Sequence, residues 1–330
     1  MFLPFASETY ERSNYNLPPQ TCLNMFPEKS PIPGRQVMLL PVPGFDIFAA
    51  VGSGPIRGFI QSDGVLDGQL FVVSGQELYS VTQSGSATLI GSVPGTGLVE
   101  MDASGTQIAI ASGTNGYVID ASGVNQITDA DFPAVSSVRY NSGLFIWTAA
   151  NSGQVIYSQI LDATDYDALD FATAENAPDN VLGIHIDHGR ISLLGSETIE
   201  PWVDTGDSAA PIQPIPSAVI NRGIVSRNSV ASLDNTFFFV GNDRMVYRMG
   251  ESPERISSIV IGEALEDLEY SQLSDVNGWS YTMDDHTFYC VDIPGKSTYV
   301  YDLYSQKWHE RKSFGKVLWE AHCVLSLIHI

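Results

Sequence analysis

The chain has 330 residues, of which 44% are hydrophobic and 16% charged, and 38 acidic against 16 basic residues give a formal net charge of −22. This composition is that of a globular protein, long enough for one large domain or two ordinary ones. The charge argues against direct readout of nucleic acid, which requires clustered Lys and Arg, and against attachment to an anionic membrane surface.

The number and spacing of the cysteines, together with the lack of a recognisable targeting signal, indicate the cellular compartment in which the protein is made. Cys22, Cys290 and Cys323 are far apart and form no CxxC, so neither a disulfide framework nor a zinc site is predicted. The first residues contain neither a basic region nor a sustained apolar region, and no run of about 18 apolar residues predicts a transmembrane helix. We expect synthesis in a reducing, cytosolic environment.

The N-terminal region, residues 1–55, is rich in proline and includes Asn24-Met25-Phe26-Pro27. We predict an extended arm that packs by its apolar residues, the alternative being a disordered leader.

At the other end of the chain, residues 325–330 read LSLIHI, without polar alternation. We interpret this hexapeptide as the translation of a transposon end left by DNA-library preparation, so that the native sequence would diverge after Val324. The alternative is a genuine apolar strand.

A strand-turn-strand phrase recurs between these ends, first as GQLFVVSGQELYSV at residues 68–81. An apolar run from Leu70 is followed by the turn Ser74-Gly75-Gln76 and a returning strand, and residues 87–90 predict a third strand. Similar runs begin at 70, 108, 144, 191, 237 and 288, which are 38, 36, 47, 46 and 51 residues apart. Propeller blades repeat every 40 to 50 residues or so, whereas sandwich strands are spaced more evenly. We therefore predict an all-β fold, a β-propeller of about six or seven blades, possibly incomplete, over residues 56–324.

One segment of the predicted propeller, residues 257–268, has a helical rhythm instead. We predict a short helix between blades, with Ser257 or Ser258 as its N-cap. The apolar residues that share one face of this helix are Ile261, Ala264, Leu265 and Leu268.

Two glycine-containing stretches fail as nucleotide-binding motifs. Gly295-Lys296-Ser297 would need a further glycine at position 290, where Cys290 stands, and it lies in a predicted hairpin turn. Residues 52–58 have the wrong spacing for a dinucleotide loop and no surrounding βαβ unit.

Two polar stretches contain residue types that bind metal ions. On a strand, His185 and Asp187 would share a face while His188 points away, so the three do not converge and no metal is predicted. The acidic stretch 162–170 lacks both a DxDxDG pattern and the closing glutamate of a calcium loop. We predict a solvated inter-blade loop there.

Several stretches together resemble one protein family. They are Asn24-Met25-Phe26-Pro27; Tyr157-Ser158 leading to residues 174–179 (AENAPD); residues 195–202 (GSETIEPW); Asn221-Arg222-Gly223-Ile224; and residues 299–302 (YVYD) followed by Lys307-Trp308. In this order, over about residues 15–322, they resemble the packaged-DNA stabilisation proteins of short-tailed bacteriophages, also called tail accessory or head-completion proteins.

The resemblance implies a structural role in the virion tail. Several copies, six in the relatives, would join beneath the portal and head-to-tail adaptor as a homohexameric hub. This hub would retain packaged DNA and carry the tail needle and tailspikes, after assembly in the host bacterial cytoplasm. DNA would only pass through, no membrane partner, cofactor, metal or catalytic residue is implied, and the protein would not be an enzyme. Family members extend further at the C-terminus.

The resemblance also singles out one motif as structural. Its residues are Gly195, Ser196, Thr198, Ile199, Glu200, Trp202, Arg222 and Gly223. We expect Trp202 to be a blade core residue, because aromatic side chains are on average highly buried, and the same holds for Trp147 and Trp308. Glu200 would satisfy a neighbouring backbone group or an arginine such as Arg222.

Two other functions stay open at this point. No GxSxG, HExxH or aspartate-box repeat occurs, yet paired carboxylates could serve a propeller glycosidase or lyase. Alternatively, the blades could display loops that bind a host or protein partner.

Overall fold

The computed structural model describes residues 6–9, 20–30, 37–174, 177, 179–207, 210–321 and 323. The chain forms two compact units: residues 1–45 with 224–326, and residues 46–223 with 327–330. The hexapeptide 325–330 lies outside the described residues. Among the helices of the described chain, none is long and apolar enough to cross a membrane.

Strands dominate the described chain. In order they are β1 (Met25–Lys29), β2 (Val37–Pro41), β3 (Ile56–Gln61), β4 (Leu70–Ser74), β5 (Glu77–Val81), β6 (Ala87–Ser92), β7 (Glu100–Ala103), β8 (Ile108–Ser112), β9 (Asn115–Asp120), β10 (Gly123–Gln126), β11 (Val135–Asn141), β12 (Leu144–Ala149), β13 (Gln154–Tyr157), β14 (Phe171–Thr173), β15 (Val181–Asp187), β16 (Arg190–Gly195), β17 (Ile199–Asp204), β18 (Ile212–Pro214), β19 (Ala231–Leu233), β20 (Thr236–Val240), β21 (Val246–Arg248), β22 (Glu254–Arg255), β23 (Asn277–Met283), β24 (His286–Ile293), β25 (Ser297–Asp302) and β26 (Lys307–Arg311). The helices of the described residues are α1 (Ile259–Glu266) and the short 3-10 turns Leu66–Gly68, Arg227–Ser229 and Tyr270–Asp275.

Six four-stranded antiparallel sheets form the described structure, beside a two-stranded sheet of β1 and β2. Each four-stranded sheet contains four consecutive strands paired in chain order, beginning with β3, β7, β11, β15, β19 and β23. A four-stranded meander of this kind is the blade of a β-propeller. The predicted all-β propeller class is therefore confirmed.

The predicted hairpins are the second and third strands of these sheets. In β4 and β8 nearly every residue is buried, because both faces of a central strand are covered, and such strands read as continuous apolar runs. The first and fourth strands were not predicted in most sheets. β10 and β22, for example, are short and half-buried or exposed, so their sequences are polar.

In the unit of residues 46–223, Arg57 on β3 links backbone segments around the first sheet. It is 2% exposed, and its guanidinium donates to the carbonyls of Gly97 at 2.6 Å, Gly75 at 3.0 Å and Val93 at 2.8 Å. It also donates to Ser112 Oγ, on β8 of the next sheet, at 2.6 Å. A single buried cation thus satisfies carbonyl groups that no strand pairing would reach.

Carboxylates on β7 perform the complementary task for backbone amides of β11. The amide of Tyr140 donates to Asp102 Oδ2 at 2.8 Å, and that of Val138 donates to Glu100 Oε2 at 3.3 Å. Glu100 also pairs with Arg139. Burial raises the pKa of Asp102, although Arg139 and the amide donors act against this shift. The edge strands of two consecutive sheets are thereby joined through side chains.

The N-terminal segment is a hairpin rather than an extended arm throughout. β1 and β2 pair antiparallel, and Phe26 on β1 is buried with Phe288 and Trp279 of the last sheet. Just before β1, the amide of Asn24 donates to the carbonyl of Glu310 on β26 at 2.9 Å. Apolar packing was predicted correctly here. The domain boundary at residue 55 stays a prediction, and residues 10–19 and 31–36 lie outside the described chain.

The predicted helix is present as α1, and Ser258, one of the two predicted N-cap residues, is its N-cap. The face made of Ile261, Ala264, Leu265 and, just after the helix, Leu268 is buried. Ser258 occupies the N-cap position without a side-chain capping bond, and the hydroxyl of Ser257 contacts Met245 Sδ at 3.5 Å instead.

Replacing Arg57 by Met tests the backbone-linking role. The substitution keeps much of the apolar stem but leaves the carbonyls of Gly75, Val93 and Gly97 without their donor. We expect the free energy of unfolding to fall by about 3 kcal/mol, since each buried unsatisfied group costs about 1–3 kcal/mol. Urea denaturation monitored by circular dichroism measures it, with the exposed Arg190→Met as control. Equal stability of both variants would contradict this role.

Candidate functional site

The motif singled out by the sequence surrounds the turn between β16 and β17. The carboxylate of Asp179 accepts hydrogen bonds from the amides of Glu197 at 2.8 Å and Thr198 at 2.9 Å. The amide of Gly195 donates to the carbonyl of Thr198 at 2.7 Å, which closes the turn. Asp179 belongs to the stretch 174–179 that carried the resemblance, but it was not among the predicted site residues. Its place directly before a buried strand was the available signal.

A second chain segment, residues 220–223, packs against the same turn. Ile199 and Ile220 form an antiparallel bridge with both N–O distances at 2.9 Å. The amide of Arg222 donates to the carbonyl of Ile220 at 2.8 Å. Gly223 lies directly against Ser196, where a Cβ atom would overlap the Ser196 carbonyl group. Glycine is required at position 223 by this close backbone approach.

Glu200 and Trp202 extend the motif along β17. Both side chains are buried, and Trp202 Nε1 donates to Glu200 Oε2 at 3.2 Å. Trp202 lies in a core cluster with Ile146 of β12 and Ile191 of β16. The predicted core position of Trp202 is what the structure shows, and Trp147 and Trp308 are buried as well.

Six of the eight predicted residues thus lie at the β16–β17 turn or on β17, and the other two, Arg222 and Gly223, lie on the segment that covers the turn. Asp179 caps the turn, the 220–223 segment covers it, and Trp202 anchors β17 in the core. These contacts hold the backbone of the turn in place. Glu200, the one carboxylate of the motif, is buried and accepts a hydrogen bond from the indole of Trp202. The arrangement is suited to a rigid corner of a sheet.

The stretch 185–188 differs from its prediction. β15 ends at Asp187, and His188 lies in a turn with φ of 47° rather than on the strand. Its ring therefore reaches back to Asp187, with Nδ1 and Oδ1 2.5 Å apart. His185 is buried, which lowers its pKa to about 4. In the part of the chain that the structure describes, no group of three His, Cys, Asp or Glu could hold a metal ion.

The acidic stretch 162–170 was wrongly predicted as an inter-blade loop. It connects β13 to β14 within one sheet, and Tyr166 is buried with its hydroxyl accepting from Trp147 Nε1 at 2.9 Å. Asp162 accepts from the amide and the hydroxyl of Thr164, and Asp167 accepts from the amide of Leu169. The carboxylates shape turns around an aromatic anchor.

A charged cluster that no sequence motif indicated lies in the unit of residues 1–45 and 224–326. The ring of His286, on β24, lies between two carboxylates: Nδ1 is 2.9 Å from Asp302 Oδ2, and Nε2 is 2.7 Å from Glu28 Oε2. Asp302 ends the YVYD stretch, and Glu28 follows the Asn24–Pro27 stretch. The YVYD stretch and the residue that follows Asn24–Pro27 therefore both contact His286, which belongs to neither stretch.

The titration of this cluster is set by its hydrogen bonds. Burial alone would lower the pKa of His286, but the bonds to Glu28 and Asp302 outweigh it and raise the pKa above the ordinary value. The bond to His286 holds the pKa of Glu28 below its ordinary value. His286 thus links β1 to the last sheet through its contacts with both carboxylates. Because Nε2 faces a carboxylate, it does not activate a hydroxyl or thiol.

Comparison with known proteins agrees with this geometry. Six meander sheets of four strands define the class, and the chain is a β-propeller protein. It belongs to the phage stabilisation family described as "Bacteriophage P22 Gp10, beta-propeller", whose sequence model matches residues 1–314. The resemblance to packaged-DNA stabilisation proteins is confirmed, and membership of this phage structural family indicates a virion component.

Other comparisons concern the fold alone. The extracellular domain of the hybrid two-component system BT4673 from B. thetaiotaomicron is 11% identical with a TM-score of 0.50, over 77% of this chain and 33% of that one. The Neurospora crassa Pan2 WD40 domain is 10% identical over 79% of each chain, with a TM-score of 0.48. Kluyveromyces lactis Hsv2 is 14% identical, with a TM-score of 0.45, over 87% of this chain and 91% of that one. No curated protein matches.

Replacing Gly223 by Ala tests the sealed turn. The added methyl group would overlap the Ser196 carbonyl, so either the 220–223 segment or the turn must move. We expect a loss of about 3 kcal/mol in the free energy of unfolding, the range of overpacked sites. Gly105→Ala is the matched control, since a Cβ there meets nothing within 4 Å. Thermal unfolding compares the two, and a Gly223→Ala protein as stable as the control would contradict the proposed contact.

The His286 cluster predicts a pH dependence of stability. A histidine with a raised pKa in the folded state contributes stability fully below its ordinary pKa of 6.5 and loses it as pH rises through the raised value. We expect wild type to exceed His286→Gln by about 2 kcal/mol just below pH 6.5, where Glu28, whose pKa is lowered, is still ionised, and we expect the difference to shrink as pH rises through the raised pKa of His286.

Urea denaturation across this pH range measures that difference, and Glu28→Gln is the companion variant. It keeps the Asp302 contact, so its loss should be smaller. A wild-type advantage over His286→Gln that grew with rising pH would contradict the assigned charges.

Proposed function

We propose that the protein is a structural hub in the tail of a short-tailed phage virion. In this role it docks below the portal and head-to-tail adaptor, retains packaged DNA, and carries the tail needle and tailspikes. The observation that carries the proposal is the family match over residues 1–314. The site supports it, because the motif residues hold backbone in place and form a stiff scaffold.

Hydrogen bonds within the protein occupy several carboxylates, and this favours the structural role over a propeller glycosidase or lyase. Glycosidases need two carboxyl groups about 5–10 Å apart that both reach the substrate. Asp102 accepts from a backbone amide, Glu200 from an indole, and Asp302 from His286. Each of these acids is occupied within its own sheet or with the next element, and the proposed role is not catalytic.

Assembly into a ring is part of the proposal, with six copies as its stoichiometry. Identical copies with a net charge of −22 repel each other, although at physiological salt the Debye length of about 8 Å screens much of this. Apolar contact must supply the rest, and obligate interfaces bury upwards of about 2,000 Å². The segment between β13 and β14 offers such contact. Its exposed side chains are Ile160 at 67%, Leu161 at 59%, Leu169 at 80% and, on β14, Phe171 at 41%.

The acidity suits a conduit through which DNA passes. Carboxylates repel phosphate groups, so that the duplex would not adhere during ejection, whereas a phosphate clamp would need a basic stripe. In an electrophoretic mobility assay the purified protein should leave duplex DNA unbound at physiological salt. Tight binding there would contradict the conduit.

Deleting the gene in its phage tests the main role. We expect capsids that package DNA but then lose it, because no hub closes the portal. DNase-protected genomes per particle, counted by quantitative PCR, should fall strongly. The Gly105→Ala protein supplied in trans should restore retention and Gly223→Ala should restore it less. Particles that keep their genome and their needle and tailspikes without the protein would refute the hub.

The remaining alternative, a loop-displaying binding module, predicts a different outcome. Such particles would retain DNA and lose only attachment to the host or to a protein partner. Native mass spectrometry of the purified chain, alone and with portal and adaptor, shows in addition whether it forms hexamers.

A further inference from the structure

Arg311, the last residue of β26, is an arginine enclosed by aromatic rings. Its side chain is 0% exposed. The guanidinium carbon lies 4.7 Å from the ring centroid of Phe288, 4.8 Å from that of Trp319 and 5.1 Å from that of Tyr281. The rings attract the cation, but they supply no hydrogen-bond acceptor in the plane of its N–H groups.

Most donors of this guanidinium have no acceptor. Neither Nε nor Nη1 has a hydrogen-bond partner among the described residues, and Nη2 has His309 Nε2 at 3.3 Å. Arg57 is the contrast, since its three nitrogens make four hydrogen bonds within their own unit. A buried guanidinium left this poorly satisfied is costly unless an acceptor joins it. Burial lowers the pKa of Arg311 to about 9.

The neighbours of Arg311 add further donors. An arginine can only donate, so Nε2 of His309 is the acceptor and the proton of the neutral ring lies on Nδ1. Burial, with His286 nearby, lowers the pKa of His309 to about 3, which keeps it neutral. His309 Nδ1, Trp279 Nε1 and the Tyr281 hydroxyl are likewise buried without partners among the described residues.

The nearby acids are committed elsewhere. Glu310 accepts from the hydroxyl of Ser297 at 2.9 Å and lies 3.5 Å from Lys312 Nζ. Asp292, in the same cross-strand row as Arg311, accepts from the hydroxyl of Thr298, which lies between them. Among the described residues, Arg311, His309, Trp279 and Tyr281 thus hold buried donors without acceptors, and such a group of donors suits an anion.

We propose that Arg311, with His309 and the Trp279–Tyr281 pair beside it, forms a binding site for a small monovalent anion, a halide or a carboxylate. The rings of Phe288, Trp319 and Tyr281 cover the faces of the guanidinium, so the anion would lie in its plane, at Nε and Nη1. Trp319, which is half-buried in the irregular segment after β26, lies over the guanidinium.

The test measures whether anions stabilise the full-length protein through Arg311. Thermal unfolding is followed in increasing sodium chloride, sodium bromide or sodium acetate for wild type, Arg311→Met and Arg57→Met. General salt effects act on all three proteins, whereas the bound anion acts only where Arg311 is present. We expect a saturable rise in Tm for wild type and Arg57→Met that exceeds that of Arg311→Met by roughly 5 °C. The halide and acetate series show which of the two anions the site prefers.

A direct measurement on wild type keeps the test decisive if Arg311→Met does not fold. In crystals grown with sodium bromide, anomalous scattering should place a bromide within hydrogen-bond distance of Arg311 Nε or Nη1. Chloride-35 NMR line broadening in solution, relieved by acetate, would support the same site. Equal anion responses of the three proteins, or no bromide at Arg311 together with no chloride broadening, would overturn the proposal in favour of water or a protein group as the acceptor.

Discussion

The structure depends on satisfying backbone groups at the edges of short sheets. A four-stranded meander leaves its first and last strands with unpaired amides and carbonyls, and buried groups of this kind must find partners. Within residues 46–223, charged side chains provide them. Arg57 donates to three carbonyls, and Asp102 and Asp179 accept from amides of β11 and of the β16–β17 turn. Charged residues that look like solvated surface in the sequence are therefore part of the framework.

The same constraint accounts for the family motif. A turn capped by Asp179 and covered by residues 220–223 has no space for a side chain at Gly223, and the indole of Trp202 needs an acceptor once it is buried. Gly223, Glu200 and Trp202 each meet a local packing or hydrogen-bonding requirement. Contacts of this kind hold a turn in place, which is consistent with a structural component of a virion.

The sequence predicted what periodicity and burial encode locally. The central strands β4, β8, β12, β16, β20 and β24 were recognisable because they are apolar on both faces. Helix α1 was recognisable by its buried stripe. Outer strands such as β10 were not, since a half-exposed strand of four residues resembles a loop. The buried Tyr166 inside an acidic stretch could not be inferred, because its partner Trp147 lies on another strand.

The charged clusters were beyond sequence reasoning for a related reason. Glu28, His286 and Asp302 are far apart in the chain, and only the pairing of β24 with β25 and the seating of β1 bring them together. Two buried arginines of the described chain show that the hydrogen-bond partners of a residue depend on its three-dimensional surroundings. Arg57 and Arg311 are equally hidden, but one lies among carbonyl oxygens and the other among rings and N–H groups. The first links backbone segments within its unit, whereas two nitrogens of the second have no acceptor among the described residues.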